Sequence, residues 1–174
     1  MAARAKELAE ICTMVTCRME PHELRLRAEG GSLVTTTDLL PYVHDGTVVL
    51  YPGESVTVDF AADGSMIDMP RFARLASAGD AVGMPSDARA SVTLNFSQTD
   101  GKPDMLLVLK SSLGFAVKYD AYMYVPTPNG VESGYTSSCP LNAGLSATEH
   151  WPHAIMMIVL TNFRLATAAD TACQ

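Results

Sequence analysis

Five short turn signals divide most of this 174-residue chain into β-prone stretches. Each is a glycine preceded by Asp, Asn or Pro: Asp45-Gly46, Pro52-Gly53, Asp63-Gly64, Asp100-Gly101 and Asn129-Gly130. Asp-Gly and Asn-Gly pairs tolerate the positive φ angles that tight hairpin turns require. So many breaks in a chain of this length predict many short antiparallel strands.

Three of the stretches alternate apolar and polar residues, which is the pattern of a strand with one buried face. The longest, at residues 114–125, places these residues on one side: Phe115, Val117, Tyr119, Ala121, Met123 and Val125. The two shorter ones do the same with these: Val56, Val58 and Phe60, then Val92, Leu94 and Phe96. Continuous apolar runs at 47–51, 105–109 and 154–160 suit central strands.

Helical signal is confined to residues 2–11 and to residues 70–77, where a proline suits a first turn. Residues 79–89 are predicted to be a loop. We therefore predict one all-β domain over residues 1–174, with residues 1–11 as a flexible or short helical segment. Its architecture is expected to be a two-sheet antiparallel β-sandwich, immunoglobulin-like or jelly-roll, with one or two short helices. A closed β-barrel is the alternative.

The charge balance excludes one class of partner. The chain carries 19 acidic and 12 basic residues, for a net charge of −7, and has no basic stripe. Such a surface repels a phosphate backbone, so we expect no nucleic-acid partner. Nor does any apolar run approach the roughly 18 residues of a membrane-spanning helix, so no membrane span is expected.

Four cysteines lie near the two ends and in one late segment: Cys12, Cys17, Cys139 and Cys173. Their even number favours disulfides over free thiols, although three pairings are open. Their spacing is not that of a zinc knuckle. Paired cysteines would place the protein in the periplasm or outside the cell, and free thiols in the cytoplasm. The first ten residues lack the apolar stretch of a secretory signal.

Residues 139–153, predicted to form one long loop, contain the sole tryptophan and two of the four histidines. Glu149, His150 and His153 offer the carboxylate and imidazole ligands that divalent metals accept. This set would make the protein a metal-binding protein or a metal-dependent hydrolase. However, the two histidines flank Pro152, unlike a helical H-E-x-x-H motif that directs both rings to one face. No cofactor is therefore predicted, and a divalent metal stays the alternative.

Tyrosines mark a candidate binding surface. The second face of residues 114–125 consists of Ala116, Lys118, Asp120, Tyr122 and Tyr124. Two tyrosines on a face that begins polar predict an exposed platform for a saccharide or peptide, which Trp151 or Tyr135 would extend. The alternative is that the two rings are half-buried partners of a neighbouring strand.

Catalytic signatures are lacking in the sequence. There is no G-x-S-x-G elbow. The carboxylates Glu54, Asp59, Asp63 and Asp68 match neither a glycosidase pair nor a calcium loop, and suit turn and strand positions instead. We predict no catalytic residue. The leading hypothesis is a non-catalytic binding or assembly module of the cell envelope or exterior, with a saccharide or protein ligand. A structural subunit that forms homo-oligomers through an exposed edge strand is a further hypothesis.

Overall fold

The computed structural model describes residues 2–75, 90–170 and 173, with only the backbone described at 2–5 and 72–75. A single helix, α1 (Ala2–Ile11), opens the described chain, as predicted. Within the described chain no helix has the length and apolar character needed to cross a membrane. A two-stranded hairpin follows, formed by β1 (Glu23–Ala28) and β2 (Gly31–Thr36).

One five-stranded antiparallel sheet consists of β3 (Val43–His44), β4 (Thr47–Leu50), β9 (Val117–Thr127), β10 (Gly130–Thr136) and β12 (Met157–Leu165). We call it the β9 sheet after its longest strand. The order across it is β10-β9-β12-β4-β3, so the last of the described strands lies in the middle.

The second five-stranded sheet, which we call the β7 sheet, consists of β5 (Glu54–Asp59), β6 (Phe72–Leu75), β7 (Ser91–Gln98), β8 (Met105–Ser111) and β11 (Ser146–Trp151). Its order is β11-β8-β7-β5-β6, and every pairing is antiparallel. The central strand β7 is also the longest of this sheet.

The inner faces of the two sheets share one hydrophobic core. Val117, Tyr119 and Ala121 enter it from β9, and Leu94 and Phe96 from β7, each at most 1% exposed. These are positions that the alternating patterns assign to a buried face. The described strands thus form the predicted β-sandwich, and their arrangement in separate sheets rules out the closed barrel among the described residues.

The predicted helix at residues 70–77 does not form in the part of that range that the structure describes. That part contains β6, which pairs with β5 and places Phe72 opposite Thr57. A helix of so few residues is marginal because nucleation is costly, so an available strand edge determines the conformation. Residues 76 and 77, and the loop predicted at 79–89, lie outside the described residues.

Residues 139–153 are not one loop either, because they contain β11, which pairs with β8. Along this strand Ala147, Glu149 and Trp151 are the more buried alternate positions. Because Glu149 occupies one of the more buried positions, the alternation of burial along β11 does not appear in the sequence as an alternation of apolar and polar residues. Pairing with a strand some forty residues earlier in the chain is what makes it a strand.

All four cysteines are paired, Cys12 with Cys17 and Cys139 with Cys173. The prediction of disulfides is confirmed. The first closes a short loop after α1, and the second ties the C-terminal segment to the connection between β10 and β11. Two disulfides indicate an oxidising, extracytoplasmic environment.

Candidate ligand-binding site

The outer face of the β9 sheet carries aromatic side chains. Tyr122 of β9 lies directly opposite Tyr135 of β10, and Tyr124 lies opposite Ser133. Directly opposed residues of antiparallel strands project to the same side of the sheet. Since Ala121, the residue before Tyr122, faces the core, the tyrosines face outward.

Tyr122 and Tyr135 form an exposed aromatic pair. Their ring centroids are 5.7 Å apart at an interplanar angle of 78°, an edge-to-face arrangement that aromatic rings prefer. The two residues are 41% and 51% exposed. Tyr124, two positions along β9, is half-buried. The rings of Tyr122 and Tyr135 therefore offer an exposed surface on which the apolar face of a ligand can stack.

A polar group lies beside this pair. Asp120 precedes Tyr122 by two residues and shares its face of β9. Asn162 donates a hydrogen bond from Nδ2 to Asp120 Oδ2 at 2.8 Å, and Arg164 Nη1 is 3.4 Å from Asp120 Oδ1. Arg164 Nη2 also lies 3.6 Å from a carboxylate oxygen of Asp170. The carboxylate of Asp120 is thus fixed between an amide and a guanidinium.

A β-bulge in β12 produces this arrangement. The pairing with β9 is regular up to Thr161 and resumes at Arg164, and Asn162 between them has a φ of 53°. Strict alternation after Thr161 would direct Phe163 outward and Arg164 inward. Instead, the Phe163 ring packs 5.6 Å from the buried Tyr119 ring, and Arg164 pairs opposite Lys118 on the outer face. Bulges re-aim side chains in this way, and asparagine tolerates the left-handed conformation well.

We call this set the tyrosine face: Asp120, Tyr122, Tyr124, Tyr135, Asn162 and Arg164. Sequence alternation predicts Tyr122, Tyr124 and Asp120 on one face, and the structure places them so. It does not predict Asn162 or Arg164. The bulge that directs them outward has no local sequence signal other than an asparagine within an apolar strand.

Trp151 does not join the tyrosine face. It is 8% exposed, and its Nε1 donates a hydrogen bond to Thr136 Oγ1 at 2.8 Å. Its ring packs edge-to-face against the Phe96 ring, with the ring centroids 6.5 Å apart. The indole thus belongs to the core. Its prediction as a ligand-binding residue therefore receives no support from its position.

The side chains of the metal hypothesis, Glu149, His150 and His153, each contact a different partner. Glu149 and His150 are neighbours on β11 and so point to opposite faces. His150 Nε2 is 3.2 Å from Asp104 Oδ2, and His153 Nδ1 is 3.2 Å from the carbonyl of Ala154. In the part of the chain that the structure describes, no three His, Cys, Asp or Glu side chains are grouped to hold an ion.

Glu149 has partners of its own. Its Oε1 accepts a hydrogen bond from the Cys139 amide at 2.8 Å and one from the Tyr119 hydroxyl at 3.3 Å. Burial, and then the negative charge of Glu149, raise the pKa of Tyr119 far above its ordinary value. These contacts attach Cys139, in the connection between β10 and β11, to the core.

A second polar cluster is buried and lies apart from the tyrosine face in the chain. Arg18 is 4% exposed and forms an ion pair with Glu54, which is fully buried. The rings of Tyr42 and Tyr51 lie 4.2 and 4.9 Å from its guanidinium. His22 Nε2 is 4.0 Å from Glu54 Oε1 and makes no hydrogen bond with a described residue. This cluster anchors the segment before β1 and presents no open ligand surface.

No family model, no curated protein and no solved structure matches this chain.

Proposed function

We propose that the protein is a non-catalytic saccharide-binding module of the cell envelope or exterior, and that the tyrosine face is its binding surface. One observation carries the proposal. An exposed edge-to-face tyrosine pair lies beside a carboxylate that an amide and a guanidinium hold in place.

The chemistry of a sugar matches this combination. A pyranose has an apolar C–H face that stacks on aromatic rings and a rim of hydroxyl groups that need both donors and acceptors. Tyr122 and Tyr135 supply the ring surface, Asp120 supplies acceptor oxygens, and Asn162 and Arg164 supply donors. Since the polar groups already bond one another, little conformational entropy remains to be lost on binding.

The edge of the same sheet is less suited to assembly by strand pairing. The outermost strand, β10, is exposed along most of its length. Glu132 lies opposite Val125, which packs against the core, so its carboxylate is on the inner side of the edge. A charge in that position opposes pairing with a further strand. This supports the face of the sheet, rather than its edge, as the interaction surface.

A glycan array is the first test, followed by calorimetry with the best oligosaccharide. Tyr122→Ala and Tyr135→Ala are each expected to weaken binding about tenfold, which corresponds to about 1.4 kcal/mol. Tyr122→Phe keeps the ring and is expected to bind within a few-fold of the parent. Asp120→Ala removes the acceptor and is expected to weaken binding to a similar degree.

Leu145→Ala serves as the control, because Leu145 is an exposed apolar residue (56%) that does not belong to the tyrosine face. The fluorescence of the buried Trp151 reports whether each variant is folded. An array without a single bound glycan, or binding that survives in the Tyr122→Ala/Tyr135→Ala double variant, would contradict the proposal.

A further inference from the structure

A cleft lies between the β1–β2 hairpin and the turn that connects β7 to β8. Its volume is about 760 Å³, and its lining includes Arg25 and Arg27 of β1 and Gly101 and Pro103 of the turn. It is made of segments separate from the tyrosine face. The hydrogen bonding of β1 determines which backbone groups this cleft presents to a ligand.

One edge of β1 is paired with β2 and the other is turned away from it. Just before β1, His22 accepts a hydrogen bond from the Thr37 amide, so the even-numbered residues direct their backbone groups toward β2. In an antiparallel pair such residues alternate with residues whose N–H and C=O point away. The backbone groups of Glu23, Arg25 and Arg27 therefore point to the opposite edge.

Gln98 acts as a one-residue strand on that edge. Its Oε1 accepts from the Arg27 amide at 2.8 Å, and its Nε2 donates to the Arg27 carbonyl at 2.8 Å and to the Pro103 carbonyl at 3.2 Å. A glutamine amide thus makes the two hydrogen bonds that a neighbouring strand would make. It also fixes the hairpin to the β7–β8 turn and so fixes one wall of the cleft.

The next residue on this edge is Arg25, whose N–H and C=O bond with no described residue. An extended peptide placed there would continue the ladder that Gln98 begins, with one donor and one acceptor already aligned. The side chain of the peptide residue opposite Arg25 would project to the outer side of the hairpin, where Arg25 and Arg27 are exposed.

The charges define the peptide. Arg25 Nε lies 2.6 Å from Glu23 Oε1, whereas the Arg27 guanidinium has no partner within the described part of the chain. A residue opposite Arg25 is diagonal to Arg27, within reach of a long side chain. We propose that this cleft binds an extended peptide by strand addition to β1, with a glutamate of the peptide paired to Arg27.

The test uses a fluorescein-labelled pentapeptide, Thr-Val-Glu-Val-Thr with blocked ends, and fluorescence anisotropy. We expect saturable binding that weakens about tenfold when the glutamate nitrogen is methylated, and by a similar factor in the Arg27→Glu variant. Hydrogen exchange at the Arg25 amide is expected to slow at least tenfold when the peptide is bound.

Two control variants distinguish binding in this cleft from a general charge effect and from binding at the tyrosine face. Lys6→Glu changes the net charge as Arg27→Glu does, at an exposed position on α1 outside the cleft lining, and is expected to bind as the parent does. Tyr122→Ala is also expected to leave peptide binding unchanged. Three outcomes overturn the proposal: no saturable binding, equal binding of the N-methylated peptide, or binding lost in Tyr122→Ala but not in Arg27→Glu.

Discussion

Arg18 is a charged residue that lies buried, only 4% exposed. Arginine is rarely buried unless it is paired. Here the guanidinium bonds the Glu54 carboxylate and also donates to the backbone carbonyls of Leu40 and Val49, each at 2.8 Å. Glu54 in turn accepts from the Tyr51 amide at 2.8 Å. Two buried charges are tolerated because nearly every polar atom of the pair has a partner.

Removing one member of this pair is expected to destabilise the protein strongly. In Arg18→Ala the Glu54 carboxylate stays buried without its counter-charge, which typically costs about 3–5 kcal/mol. Urea unfolding followed by Trp151 fluorescence measures the change in the free energy of unfolding. Replacing both residues by apolar ones, as in Arg18→Met/Glu54→Leu, is expected to recover much of the loss.

Arg25→Ala is the matched control, because Arg25 also contacts a glutamate but on the surface, with its side chain 73% exposed. Its effect should stay within about 0.5 kcal/mol. Equal decreases in the free energy of unfolding in Arg18→Ala and Arg25→Ala would contradict a special contribution of the buried Arg18–Glu54 pair.

At the scale of elements, turns and bulges set where the sheets begin and end. The turn at Asp63-Gly64 follows β5, and Gly64 there has a φ of +84°. A Cβ atom at Gly64 would lie 2.7 Å from the Cγ atom of Leu165, just at the end of β12. The glycine thus serves two purposes, since it permits the left-handed turn and lets β12 pass close by.

Gly64→Ala is therefore expected to cost more stability than Gly30→Ala. Gly30 has nearly the same φ, +85°, but a Cβ there would meet nothing within 4 Å. Backbone strain of about 1 kcal/mol is common to both variants, and the clash with Leu165 adds about 1 kcal/mol more at Gly64. Thermal unfolding of the two variants measures the difference.

The origin of that difference can be tested in a Leu165→Ala background. Removing the leucine side chain relieves the contacts with its Cγ and Cδ2 atoms, although the Leu165 backbone nitrogen stays 3.2 Å from the Cβ position, so the costs of the two glycine substitutions should become more similar. A difference that persists unchanged would assign the effect to the backbone around Gly64 and Leu165 rather than to the leucine side chain.

At the scale of the whole molecule, buried phenols couple folding to alkaline pH. Tyr42 and Tyr51 both lie beside the Arg18 guanidinium, and Tyr119 lies in the core between the sheets. Burial is the largest cause that raises the pKa of each. In the unfolded chain these groups ionise near pH 10. Above that pH the unfolded state loses protons that the folded state keeps, so the free energy of unfolding falls as pH rises.

Tyr119→Phe is expected to reduce this alkaline loss. One retained proton contributes a slope of at most about 1.4 kcal/mol per pH unit above pH 10, and phenylalanine removes that contribution. Urea unfolding between pH 8 and about pH 11 gives the slope for parent and variant. A parent whose stability is constant through this range would contradict the coupling.

Much of the fold could be predicted because its signals are local. Alternation places Val56, Val58 and Phe96 on buried faces, and glycine turns mark the strand ends, since both depend on a residue and its near neighbours. Of the tyrosine face, Tyr122 and Tyr124 follow from the same period of two. The number of cysteines predicts disulfides but not their pairing, because the pairing depends on which segments meet in space.

Local patterns in the chain are enough to predict an all-β domain of many antiparallel strands, with paired cysteines and a pair of tyrosines on one strand face, whereas the separate sheets of the structure decided between a sandwich and a closed barrel. The three-dimensional arrangement was needed to show that residues 146–151 form a strand, that Asn162 and Arg164 turn toward Asp120, and that Arg18 is buried against Glu54. Each of these depends on a partner far along the chain. Hydrogen bonding and desolvation act between such partners only after the sheets have brought them together, and no local pattern of residues encodes that approach.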